Sequence, residues 1–288
     1  MNKFIAKLKV FSELVMFQHS IFSLPFIFIA MLVAADGWFG WRLLLLGGVA
    51  AVSARNFAMG VNRYLDRDVD ALNPRTKNRP SVDGRVSDIQ MISFILMNGF
   101  LFIGVAYSIN SLAFKLSIPI LIVLGAYTLF KRFSSLAHII LGISLGLAPI
   151  AGVVAILNDI TIWSLYLAFG VMFWVAGFDL LYSLQDMEFD KEHGLHSIPS
   201  KFGASKTMLF ALIFHILTIL LWVAFVFSAK LGIFSWIAVL LSAIMLGYEH
   251  YLVRKDFTKI DKAFFTVNGY LGFMFIALII VDIVLSSK

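Results

Sequence analysis

The sequence predicts an all-α membrane protein, a bundle of nine transmembrane helices with cytoplasmic loops capping a central cavity. Three observations lead there. Of the 288 residues, 60% are hydrophobic and 14% charged, too few charged groups for a soluble domain to cover that much apolar surface. The apolar residues cluster in runs of roughly 16 to 24, about what a helix needs to cross a hydrocarbon layer. The runs are also continuous, without the period-two alternation of barrel strands. A bilayer leaves unpaired backbone groups unsatisfied, so helices are the default.

In chain order the expected spans are Ser20–Ala35, Leu43–Gly60, Ile89–Tyr107, Leu116–Phe130, Ala137–Leu157, Ile162–Tyr182, Leu209–Phe227, Ile233–Tyr251 and Phe264–Leu285. They make one expected transmembrane domain, 1–288. The basic lead MNKFIAKLKV has no small-residue cleavage site and precedes many further spans, so it does not read as a removable signal peptide.

Alternate connections carry most of the positive charge. Lys3, Lys7 and Lys9 precede the first span, Arg67, Arg75, Lys77, Arg79 and Arg85 follow the second, and Lys131 and Arg132 follow the fourth. Lys191, Lys201 and Lys206 follow the sixth, and Arg254, Lys255, Lys259 and Lys262 the eighth. The positive-inside rule then places the N-terminus and these loops in the cytoplasm of a multi-pass protein, expected in a bacterial inner membrane. The asymmetry accounts for the net charge of +6 without nucleic acid. There is no cysteine, which excludes a disulfide framework and thiolate chemistry.

Topology does not require acids in those loops, yet two of them are acidic. In NRYLDRDVD, Asn62, Asp66 and Asp70 stand at i, i+4 and i+8. On a continuous helix each step turns only about 40°, so the three oxygens share a face. In DLLYSLQDMEFD, Tyr182, Asp186 and Asp190 repeat that spacing 120 residues later, with Asp179 two turns before Asp186. Like charges one turn apart repel in an isolated helix. Mg²⁺ reverses the sign, because it takes one or two carboxylates and leaves positions for phosphate oxygens. Asn73-Pro74 signals a turn that folds Arg75, Lys77 and Arg79 back toward the first stripe, and Lys131 lies on the same side. Guanidinium and ammonium groups beside metal-binding carboxylates suit a leaving pyrophosphate. A solvated loop is the plain alternative for either cluster alone; the repetition argues against it. Asp68, Asp83, Asp88, Glu188 and Glu192 fall off the stripes and read as surface charge. Tyr182 is either part of the second stripe or an interfacial anchor.

Arg55 lies within the second span on nearly the same face as Asn62. Burying it there costs about 2.5–3.5 kcal/mol on insertion scales. It is either a structural pair, with Asp179 as one possible partner, or an anchor for a substrate carboxylate. His19 opens the first span as an interfacial histidine or a substrate contact.

The stretch Asn62-Arg63-x-x-Asp66-x-x-x-Asp70 with Arg75 and Arg79-Pro80 resembles the first motif of the UbiA superfamily of intramembrane prenyltransferases. Asp179-x-x-Tyr182-x-x-x-Asp186-x-x-x-Asp190, then Lys191 and His193-Gly194-Leu195-His196-Ser197, resembles the second. Tyr127 with Lys131-Arg132 resembles a third segment. HSIFSLPF is similar to the subgroup acting on aromatic acids in quinone synthesis. The resemblance covers essentially the whole chain and implies a reaction. Mg²⁺ held by Asn62, Asp66, Asp70, Asp186 and Asp190 neutralises a polyprenyl diphosphate, and Arg75, Arg79 and Lys131 bind its oxygens. Pyrophosphate leaves, and an electron-rich ring attacks the allylic cation. Asp66, Asp179 and Asp186 are the expected catalytic groups. Arg55 falls where relatives hold the acid's carboxylate, with Tyr182 and His19 as further substrate contacts. The partners implied are a polyprenyl diphosphate, an aromatic carboxylic acid and the bilayer, with no obligate protein partner. Either 4-hydroxybenzoate or, for menaquinone, a dihydroxynaphthoate satisfies one carboxylate anchor and one phenol. A cation-coupled transporter would instead place its acids near the midplane on broken helices.

Overall fold

The computed structural model describes residues 3–15, 24–257 and 260–286. Among them all regular structure is helical. In chain order the helices are α1 (Lys3–Leu14), α2 (Leu24–Ala35), α3 (Trp41–Leu65), α4 (Arg67–Leu72), α5 (Asp88–Ile109) and α6 (Ser111–Ala126). A 3₁₀ turn (Tyr127–Arg132) precedes α7 (Ala137–Leu157) and α8 (Ile162–Tyr182). Another (Ser183–Asp186) joins α8 to α9 (Met187–Glu192). Then come α10 (Ile198–Ser228), α11 (Ile233–Lys255) and, after a π-helical turn at Ala263–Val267, α12 (Asn268–Ser286).

Each of the nine expected spans falls on a helix. Eight helices are long and apolar enough to cross a membrane. The first expected span in the chain carries the shorter, 12-residue apolar helix α2; residues 16–23 lie outside the described set. The protein is a multi-pass integral membrane protein. Large apolar side chains such as Phe100, Tyr107, Ile122 and Leu240 stay exposed on the helices, as lipid-facing residues do.

The chain divides into two compact units, Met1–Ser20 with Leu45–Leu129, and Ile21–Leu44 with Phe130–Lys288. In the first, α5 begins in a capping box between Ser87 and Gln90. Asn110 alone links α5 to α6: its extended backbone reverses the chain and its side chain accepts from the Ala113 N–H at 2.8 Å. Phe57 packs against the faces left open by Gly99 and Gly125, and Asn56 bonds Asn98 at 3.1 Å.

In the second unit α7 and α8 approach closely. A Cβ at Gly142 would lie 2.3 Å from the Met172 carbonyl oxygen, and one at Gly146 2.8 Å from that of Ala168. This is the small-xxx-small contact by which membrane helices gain van der Waals packing. Phe26, Trp174, Trp222, Phe225 and Phe275 form an aromatic core. Buried polar side chains link its helices: Trp174 Nε1 donates to Asn268 Oδ1, and Asn268 Nδ2 to Glu249 Oε1, both at 2.7 Å. Asp282 caps α11 from α12, accepting from the N–H groups of Gly232 and Phe234 and from Ser235 Oγ. Inside α10, Gly203 has φ 79° and ψ 168°, a conformation open to glycine.

Candidate active site

Neither carboxylate stripe lies on an unbroken helix. Helix α3 stops at Leu65, Asp66 takes φ −92° and ψ 8°, and α4 follows. The i to i−4 bonding nevertheless runs through the break: Asp66 N–H reaches the Asn62 carbonyl at 2.9 Å, and Asp70 N–H that of Asp66 at 2.8 Å. The second stripe breaks at the matching residue. Asp186 has φ −99° and ψ 4° and also opens a six-residue helix, α9. Both central aspartates thus sit in the sparsely populated bridge region, which recurs at active sites.

In the first station Asp66 and Asp70 are buried, at 2% and 4% exposure. Asp66 Oδ2 accepts from Asn62 Nδ2 at 3.0 Å and from Thr128 Oγ1 at 2.8 Å. Asn62 Nδ2 also reaches Thr128 Oγ1 at 2.7 Å, while Asn62 Oδ1 accepts from Arg63 at 2.9 Å. Arg79 Nη1 donates to both oxygens of Asp70 at 2.7 Å, so the expected diphosphate-binding cation and the expected metal ligand are paired with each other. The Nε and Nη2 donors of Arg79 lie outside that contact. The turn carrying Arg79 forms as its sequence suggests: Asn73 Oδ1 accepts from the Arg75 N–H at 2.9 Å, and Thr76 Oγ1 donates to the Asp70 carbonyl. Arg75 is exposed, and Arg55, two turns before Asn62 on α3, is half-buried. Tyr127 lies close enough to Arg55 to interact electrostatically.

In the second station Asp179, Asp186 and Asp190 are half-buried. Asp190 has Ser197 as a hydrogen-bond partner and lies within electrostatic reach of Asp186 and Lys131. The loop beyond it is tied in place, Leu195 N–H to the Asp190 carbonyl and His196 N–H to the Lys131 carbonyl, each at 2.8 Å. Lys191, His196 and Lys201 border a cavity of about 530 Å³ there, with no carboxylate in its lining. The Tyr182 ring packs on Phe264 with centroids 4.3 Å apart. Asp179 Oδ2 bonds His138 Nδ1 at 2.7 Å.

Sequence reasoning missed Thr128, His138 and Arg63 as parts of these stations. Thr128 and His138 arrive from distant segments, and no spacing announces them. Arg63 stood inside the quoted motif, where its charge beside Asn62 was a visible signal. The off-stripe acids Asp83 and Asp88 pair with Arg85 and Arg67 at the surface. His19 lies outside the described residues.

Among the described residues no three His, Asp or Glu side chains converge as a ready-made metal site. Two-carboxylate stations are nonetheless suited to Mg²⁺, which takes one or two protein carboxylates and fills its remaining positions with water and phosphate oxygens.

The fold and these stations describe a membrane-embedded helical protein with carboxylate and cation groups gathered at the ends of its spans. The sequence model of the UbiA prenyltransferase family matches residues 23–279, across both compact units, and the chain belongs to that family of prenyltransferases. The 4-hydroxybenzoate octaprenyltransferase of Herminiimonas arsenicoxydans is 27% identical over 245 residues, 84% of this chain and 85% of the relative. That of Vibrio vulnificus is 26% identical over 244 residues, with 84% and 85% covered. A UbiA homologue from Aeropyrum pernix K1, solved in the apo state, superposes with a TM-score of 0.83 at 30% identity, covering 92% of this chain and 98% of that one. A UbiA homologue from Archaeoglobus fulgidus, solved with GPP and Mg²⁺, shares the fold at a TM-score of 0.78 and 22% identity, covering 96% and 99%.

Proposed function

We propose that this prenyltransferase moves a polyprenyl group from its diphosphate to the ring of an aromatic acid, 4-hydroxybenzoate, with Mg²⁺ as cofactor. The observation that carries the reading is the buried pair Asp66 and Asp70, set one turn apart and flanked by Arg79, in a chain of this family. The relatives named for 4-hydroxybenzoate support the acceptor.

Asn62, Asp66 and Asp70 would hold Mg²⁺ at one station, and Asp186 and Asp190 would hold it at the other. Bound there, Mg²⁺ would neutralise charge on the departing diphosphate. Arg75, Arg79 and Lys131 bind its oxygens, guanidinium groups in forked geometry and the ammonium as a point charge. The bond between the prenyl C1 and the diphosphate oxygen breaks, with the electron pair leaving on pyrophosphate. A ring carbon of the phenol forms the new C–C bond, and its proton leaves to restore aromaticity. Asp179, oriented by His138, accepts that proton. Arg55 anchors the acid's carboxylate, and Tyr182 and His19 contact the substrates. Surrounding apolar helices keep water from the cation. The basic connections favour a cytoplasmic N-terminus and cytoplasmic stations in a bacterial inner membrane.

The test is a membrane assay with Mg²⁺, a radiolabelled polyprenyl diphosphate, and either 4-hydroxybenzoate or a dihydroxynaphthoate. A Mg²⁺-dependent product with 4-hydroxybenzoate is expected. Transfer to the naphthoate alone would overturn the acceptor and keep the reaction class, and transfer to neither would overturn both.

A further inference from the structure

We propose that Arg63 is a positioning residue for the first carboxylate station and that it works by bracing this station against helix α1. The proposal rests on the metal-binding reading above. Arg63 is only 5% exposed, and a guanidinium is rarely buried to that degree unless paired. Its Nη1 donates to Asn62 Oδ1 at 2.9 Å, and its Nε donates to the Leu14 carbonyl at 3.3 Å, where α1 ends. A cation at a helix C-terminus satisfies an orphan carbonyl and meets the negative end of the helix dipole.

The contact to Asn62 decides how Asp66 is held. A primary amide has one accepting oxygen and one donating NH₂ group. With the oxygen on Arg63, the NH₂ group must face Asp66 Oδ2 and Thr128 Oγ1, as it does at 3.0 and 2.7 Å. The opposite amide orientation would set oxygen against carboxylate and NH₂ against guanidinium, two repulsive contacts. Arg63 therefore selects the rotamer of Asn62, and Asn62 together with Thr128 fixes the plane of the Asp66 carboxylate. Asn62 Oδ1 has two lone pairs, so the contact to Arg63 is compatible with a second cation on the same oxygen.

The neighbouring residue of α1 secures the other end of the station. Glu13 accepts from Arg85 at 2.6 and 2.8 Å, and Arg85 also donates to the Asn78 carbonyl at 2.8 Å and to Asp83 at 2.7 Å. These carboxylates, Glu13 first, raise the Arg85 pKa above its ordinary value. Within that turn the Asp83 N–H bonds the Arg79 carbonyl at 3.0 Å, and the Arg79 side chain holds Asp70. Two consecutive residues of α1 thus reach Asp66 through Arg63 and Asp70 through the 78–85 turn.

The test is direct metal binding by the full-length protein in nanodiscs, with Mn²⁺ as the probe read by electron paramagnetic resonance. Arg63→Ala is expected to weaken Mn²⁺ binding roughly 10- to 100-fold, as loss of an outer-shell partner does. Arg63→Lys, which keeps the charge but cannot span both acceptors, should fall between Arg63→Ala and the parent. Raising Mg²⁺ should recover much of the transferase activity of both variants while the KM for the aromatic acid stays unchanged. If either folded variant binds Mn²⁺ as tightly as the parent, Arg63 is a packing residue and the proposal is overturned. If the parent itself binds no Mn²⁺, the metal reading falls, an outcome distinct from the first. Should Arg63→Ala not fold, the Arg63→Lys titration decides alone.

Discussion

His138 and Asp179 face each other across the α7–α8 seam, with Nδ1 and Oδ2 2.7 Å apart. Gly142, one turn beyond His138, permits this because the two backbones meet there. An ionised carboxylate only accepts hydrogen bonds, so the imidazole N–H donates and holds one carboxylate oxygen fixed. If Asp179 takes the ring proton, Asp179→Asn should lower kcat by roughly 10²-fold or more, the range for a lost general base. His138→Ala should lower it by about 10-fold through lost orientation, and the double variant should be little worse than Asp179→Asn alone. Turnover by purified protein at saturating Mg²⁺ measures this. Additive losses would separate the two residues.

Asp66 and Asp186 share one local conformation, each at a break that opens a short helix. Asp66→Asn and Asp186→Asn should each abolish transfer while the protein stays folded, and chelation of divalent ions should silence the parent until Mg²⁺ is restored. Near-normal turnover by either variant would remove that residue from the metal site.

Arg55 should act on the acceptor. Arg55→Ala is expected to raise the KM for the aromatic acid roughly 10- to 100-fold, the worth of a charge-assisted hydrogen bond, while the KM for the polyprenyl diphosphate stays put. An unchanged acid KM would make Arg55 structural.

The α7–α8 contact makes a prediction about stability. Gly142→Ala would push a methyl group into the Met172 carbonyl, so it should destabilise by about 1–3 kcal/mol, as overpacking does. Gly104→Ala meets nothing within 4 Å and should be neutral or slightly stabilising, since alanine favours helices. Unfolding in detergent compares the two, and equal stabilities would contradict the close approach.

The spans were legible because apolar length is a one-dimensional signal, and of the eight expected starts that fall among the described residues, seven lie within five residues of a helix start. Helix α10 began eleven residues earlier than expected, at Ile198. Its first turns are polar, and the Ser197–Ser200 cap and the break at Gly203 carry no hydropathy. The aspartate spacing was legible too, yet its derivation assumed a continuous helix. The break at Asp66 keeps the one-turn hydrogen bonds while changing the backbone, the one at Asp186 follows a 3₁₀ turn, and spacing alone reports neither. Thr128 and His138 were invisible for a different reason: their roles depend on which distant helix packs beside them.

The cap on α11 sets an order of events during synthesis. The N–H groups of Gly232 and Phe234 are satisfied by Asp282, 50 and 48 residues further along. As the chain emerges from the ribosome, α11 enters the bilayer with its leading end still uncapped. It gains its partner only once α12 has been translated and has turned back beside it. A chain ending before residue 282 therefore lacks the carboxylate that satisfies the first amide groups of α11.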